Sequence, residues 1–316
     1  MKSPSSLARW ITILCVAPAI ASACMWIHGT TVDGHFVELN GRWSLGDLQD
    51  SMIASPADES SLFETHLYHP SDPVAAANDK AVQVLLKGDA EQALKMLEEI
   101  EAQYPGAYYT AANRGTAYEL AGKDKEALKW ILEGIKRNPD SHMKAEWIHV
   151  NILKAKIQMK SQPDWLKTHT LTGLDLTKLD SDYYQIESAQ GKKNRWTAYE
   201  SLYRQLRVRM LLVKPKDPIV AQMLTELAYL ESQLGVQESA IEYLNMAQAY
   251  GADPQATAAF RAHMEKLIRW RWLHPKSYKG LFSQPIIIVT SLCLLLVILV
   301  LIRRRRERQA ALASAS

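Results

Sequence analysis

The sequence predicts an all-α fold: a helix-pair solenoid with an irregular N-terminal segment and one C-terminal transmembrane helix. Three observations predict it. Residues 79–105 recur as residues 113–139, at a stride of 34. In residues 195–213, apolar side chains return at three- and four-residue steps, which marks one buried helix face. Residues 281–302, from Leu281 to Ile302, carry no charge, and from Ile286 onward they are almost uniformly aliphatic.

The stride sets Ala81 on Gly115, Val84 on Tyr118, Gly88 on Gly122, Ala93 on Ala127, Leu97 on Ile131 and Pro105 on Pro139. Each copy reads as two antiparallel helices joined by a short turn. The small residues belong where two helices cross within contact distance. Gly88 and Gly122 belong where the chain leaves the first helix through a left-handed conformation. Pro105 and Pro139 end the second helix, because proline cannot continue its hydrogen-bond ladder. These residues resemble the tetratricopeptide repeat, a family with a 34-residue helix–turn–helix unit.

Further copies are weaker. Residues 141–157 start a third on time, with His149 and Ile152 on its packing positions, and then the pattern fades at Pro163. A fourth runs out of phase from Ala221 to Pro254, with Ala228 and Ala240 at the small positions, Gly235 at the turn, and Leu244 and Ala247 on the packing face. Residues 163–182 read as an insertion or loop. Trp196, Tyr199, Leu202, Tyr203, Leu206 and Met210 give residues 195–213 one apolar face. A closing helix is expected over residues 255–273. Residues 24–76 show no period. The expected divisions are therefore a leader (1–23), an irregular segment (24–76), two repeats with a degenerate third (77–160), an insertion and amphipathic helix (161–218), a further repeat with a capping helix (219–273), a membrane span (281–302) and a tail (303–316).

Residues 1–23 have the layout of a secretory signal peptide: Lys2 and Arg9, a short apolar stretch, then Ala21, Ser22 and Ala23 as a small-x-small cleavage pattern. Residues 281–302 are long enough to cross a hydrocarbon core of about 30 Å. Trp270, Trp272 and Tyr278 precede that run, and residues 303–306, four arginines, stop it. A leader followed by this run places the body outside the cytoplasmic membrane, which is the periplasm in a bacterium, and the C-terminus inside. Cys24 follows the cleavage pattern directly. Lipidation of Cys24 and ordinary cleavage that leaves an N-terminal cysteine both remain open.

Charge argues against nucleic acid. Of the 37 basic residues, two lie in the leader and five in the tail, so the span between is slightly acidic. Cys15 lies in the leader and Cys293 in the apolar run, which leaves the body only Cys24 and no internal disulfide. Cys24, His28 and His35 could ligate a metal, and the three-residue gap of His66 and His69 is compatible with a shared ion. However, there is no second Cys, no HExxH run and no regular spacing, so scattered surface histidines are the expected reading. His142 and His149 are seven residues apart, too far to share an ion directly, and His149 reads as a packing residue. Phosphate loops, nucleophile elbows and paired acidic clusters are missing as well. No enzyme, no cofactor and no metal is therefore expected.

The tetratricopeptide resemblance implies a concave groove lined by the first helix of each pair. Carried over, it offers Tyr109, Ala112, Asn113, Thr116 and Glu119 from the second pair. The third pair offers His142, Glu146, Trp147, Val150 and Leu153, and Tyr109, Asn113, Thr116, His142 and Trp147 lead the set. The family's carboxylate clamp is missing, because Asn78 and Val82 stand where Lys and Asn belong. The expected function is a membrane-anchored scaffold that binds a peptide or partner protein. The alternatives are an exported enzyme or metal-binding protein with its site in the non-repeat segments, and an architectural subunit that uses its membrane helix as the contact.

Overall fold

The computed structural model describes residues 28–32, 34, 36–38, 45–54, 69–175, 194–273, 295–296 and 298–303. The leader, Cys24, His35 and His66 lie outside the described residues, as does most of the apolar run 281–302. Within that run Leu295, Leu296 and Ile298 to Ile302 are helical. Among the described residues, no helix is long and apolar enough to cross a membrane. The described chain is mostly helical and divides into two compact units, Met1–Asn40 with Leu267–Ser316, and Gly41–Lys266.

The first unit contains a strand pair, β1 (His28–Thr30) and β2 (Phe36–Glu38), antiparallel with Gly29 opposite Val37. Gly34 in its turn adopts φ +74°, and a Cβ there would meet the Trp270 ring at 3.0 Å. The sequence reading expected no strand in this region. Three-residue strands are too short to display an alternating period.

The second unit begins with α1 (Leu45–Ile53), a helix also unforeseen, whose Leu48 is fully buried. Two hairpins follow: α2 (Pro73–Leu86) with α3 (Ala90–Gln103), and α4 (Tyr108–Leu120) with α5 (Asp124–Arg137). After them come α6 (Glu146–Met159), α7 (Arg195–Leu212), α8 (Pro218–Leu234), α9 (Gln237–Ala249) and α10 (Ala258–Leu273). From α2 to α9 each helix packs on the next, and α2 also packs on α4.

Local chemistry explains the helix ends. Asp72, Asp89, Asn194 and Asp217 accept a backbone N–H from the first turn of α2, α3, α7 and α8. Pro73 and Pro218 open their helices, where no intrahelical N–H is needed. Gly88 and Gly122 take φ +90° and +74°, the left-handed exits the sequence predicts. Gly235 does not: its φ is −130°, and the Glu231 carboxylate fills the space a side chain would need.

The small crossing positions are buried as their spacing requires. Ala81, Ala93 and Ala127 are completely inaccessible, and a Cβ on Gly115 would lie 2.5 Å from the Ile131 side chain. Ala81, Ala93, Leu97 and Ala117 form one apolar cluster, and Ala127, Ile131, Val150 and Leu153 form a second. Arg137 ties the two hairpins together, donating to both oxygens of Glu101 at 2.7 and 2.9 Å and to the Ala107 carbonyl at 3.0 Å. The largest cluster gathers α6 to α10 with α1 around Trp147, Tyr203, Leu227, Tyr243 and Met264.

Three boundaries differ from expectation. The third copy does not begin as a helix at Ser141, because Ser141–Lys144 forms a left-handed turn before α6 starts. The closing helix begins at Ala258, after a turn over residues 253–257 in which Asp253 caps the Gln255 amide. The predicted loop 163–182, described to Asp175, contains a 3-10 turn at Trp165–Lys167 and then buries Leu171 and Leu174.

A buried carboxylate anchors that loop. Glu226 of α8 accepts the Leu171 amide at 2.6 Å, the Thr172 amide at 2.8 Å and the Gln222 side chain at 2.9 Å. Burial pushes its pKa up, while the donated hydrogen bonds oppose that shift. Glu226→Ala strands two buried amides and is expected to cost about 1–3 kcal/mol in chemical denaturation. An unchanged midpoint would show that water takes over both bonds.

Candidate functional site

The groove residues implied by the repeat separate into three groups. Tyr109 and Asn113 face α2. The Tyr109 hydroxyl donates to Asp72, and the Asn113 amide donates to Asn78 Oδ1 at 3.2 Å. Asn78 is fully buried and donates to Thr110 Oγ1 and the Val74 carbonyl, both at 2.9 Å. These bonds join first helix to first helix.

Trp147 is not a groove residue. It is completely buried in the main core, and its indole N–H donates to Ser201 Oγ at 3.0 Å. The left-handed turn at Ser141–Lys144 displaces this segment from the helical frame used to assign the position, so its neighbours' facing changes too. Thr116 and His142, in contrast, come together on one cleft of about 250 Å³. Leu120 of α4 and Val208 and Leu212 of α7 supply apolar lining, and Arg204 and Arg207 add two guanidinium groups from α7.

The floor of the cleft is a buried ionic cluster. Glu119 of α4 has a side chain only 4% exposed, yet it meets an arginine, a lysine and an imidazole. Arg209 of α7 grips it with two donors, each at 2.9 Å. Lys156 Nζ donates at 3.0 Å, and His149 Nε2 lies 2.7 Å from its second oxygen. Burial alone would raise the Glu119 pKa, but the charge of Arg209 and the His149 hydrogen bond hold it well below the ordinary carboxylate range.

His149 also faces a second acid. Its Nδ1 lies 3.5 Å from Glu146 Oε2, and Glu146 pairs with His142 through its other oxygen. Burial pulls the His149 pKa down, while the hydrogen bond to Glu119 and the nearby charges of Glu119 and Glu146 more than offset that and carry it above its usual value. Glu146 is depressed: the charge and hydrogen bond of His142 overcome its burial. An imidazole between two carboxylates satisfies both only as imidazolium, since the neutral ring has one N–H.

The lip of the cleft is strained. His142, Met143 and Lys144 occupy φ +47°, +54° and +64° in succession, a region costing about 1–2 kcal/mol for each residue with a Cβ. The His142–Glu146 pair and a Lys144–Asp140 pair at 3.3 Å hold this turn. Met143, between them, is 71% exposed.

Thr116, Glu119, His142 and Glu146 were expected on the groove and line this cleft, whereas the polar role of His149, the contact of Lys156 and the whole α7 wall were not foreseen. The Glu146 and His149 positions, four and three residues apart in series from His142, were legible as a shared helical face. Glu119 and Arg209 are ninety positions apart, and no period connects them. His149, expected as a packing residue, is buried as expected and lies between two carboxylates. Among the described residues, no group of three or more His, Cys, Asp and Glu side chains could hold a metal ion. The cleft joins apolar walls to an internally paired charged floor, an arrangement suited to holding a side chain or short segment. No protein-family model, curated protein or solved structure matches this chain.

Proposed function

We propose that this chain is a membrane-anchored, extracytoplasmic interaction protein. In this reading its tetratricopeptide-like helix pairs form a solenoid that holds a peptide or partner protein at the cleft of Thr116, His142 and Arg207. One observation carries the reading: two hairpins 34 residues apart have their small residues buried at corresponding crossings and left-handed glycines at corresponding exits. Such units bury their apolar faces only against one another, which leaves a continuous surface for a ligand. The leader and the apolar run before Arg303 support the topology. Under it, the bilayer is contacted through residues 281–302 and no nucleic acid is engaged.

Crosslinked capture of the full chain from its native membrane tests this. Arg207→Glu reverses one charge on the cleft lining without touching the paired floor, and it should reduce the captured partner about tenfold, the effect of one lost interfacial charge contact of about 1.4 kcal/mol. Capture equal to wild type would remove the cleft from the interface. Protease added to intact cells should degrade the body. If the body is spared while disrupted cells lose it, the proposed topology fails.

A further inference from the structure

We propose that the cleft selects an acidic segment of a protein partner: one Asp or Glu side chain lies against Arg207, and an aliphatic side chain two positions away lies on Val208 and Leu212. This rests on the reading of the cleft given above and narrows it to one ligand chemistry.

Charge points there first. The chain between leader and tail is slightly acidic, yet the cleft is lined by Arg204, Arg207 and Arg209 against Glu119 and Glu146. Its lining is net positive even with both histidines neutral. The two glutamates are also engaged within the protein. Glu119 accepts from Arg209 and Lys156 and meets His149, while Glu146 pairs with His142 and faces His149 at 3.5 Å. Arg209 uses both terminal nitrogens on Glu119. On this floor its buried Nε lacks an acceptor, and Glu146 Oε2 lacks a hydrogen-bond donor. Arg207 differs from all of these. Among the described residues no acid pairs with it, and it is only partly exposed. A cation drawn partly out of water without a counter-ion gains from an entering carboxylate, which the guanidinium fork meets with two parallel donors.

Shape narrows the ligand further. Arg204, Val208 and Leu212 follow one another at four-residue steps along α7, so the wall is cationic at one end and aliphatic at the other. The helical rise puts Arg204 and Val208, or Arg207 and Leu212, about 6–7 Å apart along the axis. In an extended chain, residues i and i+2 share a face and lie about 6.6 Å apart. Leu120 of α4 adds apolar surface to the same cleft. At about 250 Å³ the cleft is smaller than the ~300–1,000 Å³ of small-molecule sites, and it suits one or two side chains rather than a whole metabolite. The two outer arginines belong to α7, outside the 34-residue pattern, so the repeat resemblance does not imply this preference.

Binding of capped peptides to the full chain in a neutral detergent tests this. The probes are short glycine-rich peptides that hold Glu and Leu two positions apart, in both orders, each with matched peptides carrying Gln or Lys in place of Glu. The better Glu peptide should bind about tenfold tighter than its Gln match, and the gap should narrow as salt rises. Arg207→Gln should close the gap, Arg207→Glu should transfer the preference to the Lys peptide, and Arg207→Lys should keep the acid preference. Helical circular dichroism confirms that each variant is folded, and the wild-type comparison decides the matter without any variant. Equal binding of the Glu and Gln peptides overturns the proposal, as does a preference untouched by Arg207→Gln or no binding at about 1 mM peptide. Glycerol 3-phosphate that binds more tightly than the Glu peptide also overturns it, in favour of a phosphate site. In each of these cases, a loss of captured partner with Arg207→Glu would still keep the cleft as the interface, so the two readings fail separately.

Discussion

Glu119→Ala is expected to lower the unfolding free energy by about 3–5 kcal/mol, the cost of leaving buried charges without their counterpart. Arg209 is 10% exposed and directs two donors at this one carboxylate, and His149 and Lys156 use it as well. Truncation leaves those cations facing one another across a methyl group. Double replacement of Glu119 and Arg209 by apolar residues of similar volume should cost much less, because desolvation of a buried pair offsets much of its attraction. Chemical denaturation followed by helical circular dichroism reads both. A loss below about 1 kcal/mol in the single variant would mean that the cluster is hydrated and cheap to break.

The pH dependence of the same measurement has a definite sign. Glu119 and Glu146 are depressed, so their stabilisation is present above the ordinary carboxylate range and is lost as pH falls through the folded-state values. His149 is raised, so its contribution is complete below about 6.5 and is lost as pH rises through its folded-state value. The cluster therefore stabilises most between these limits, and Glu119→Ala should flatten both arms of the wild-type profile.

Gly115→Val is expected to destabilise by about 3 kcal/mol, the upper part of the range for an overfilled core. A Cβ at this position would stand 2.5 and 2.6 Å from side-chain carbons of Ile131 and 3.1 Å from its backbone nitrogen. The side chain can rotate away; the backbone of α5 cannot without parting the hairpin. Ile131→Ala in the same chain should restore part of the loss, and the non-additivity measures the clash. Gly134 provides the contrast. Its Cβ would meet the Ala112 backbone nitrogen at 3.4 Å, an ordinary contact, so Gly134→Ala should be neutral or gain up to about 1 kcal/mol of helix propensity. Equal effects at the two glycines would remove the steric argument for the 34-residue stride.

The hairpins α2–α3 and α4–α5 were legible because their determinants are local. Ala81 with Ala93, and Gly115 with Ala127, lie within a single helix pair, and Gly88 and Gly122 mark turns three residues long. The amphipathic face of α7 was equally plain, with Tyr199, Leu202, Tyr203, Leu206 and Met210 all buried. Trp196, counted on the same face, is 38% exposed, since it lies in the first turn where that face runs off the core. The third copy failed at its start, and with it Trp147, because the register assumed a helix through Ser141–Lys144.

By itself the sequence determined that the described chain is mostly helical, where the paired helices turn, and which small residues their crossings demand. These follow from steric and hydrogen-bonding rules that act within about one helix pair of chain. Only the tertiary structure decided that Glu119 meets Arg209 and that His149 lies between two acids. Charge attraction depends on separation in space, and residues thirty to ninety positions apart leave no periodic trace of the distance between them.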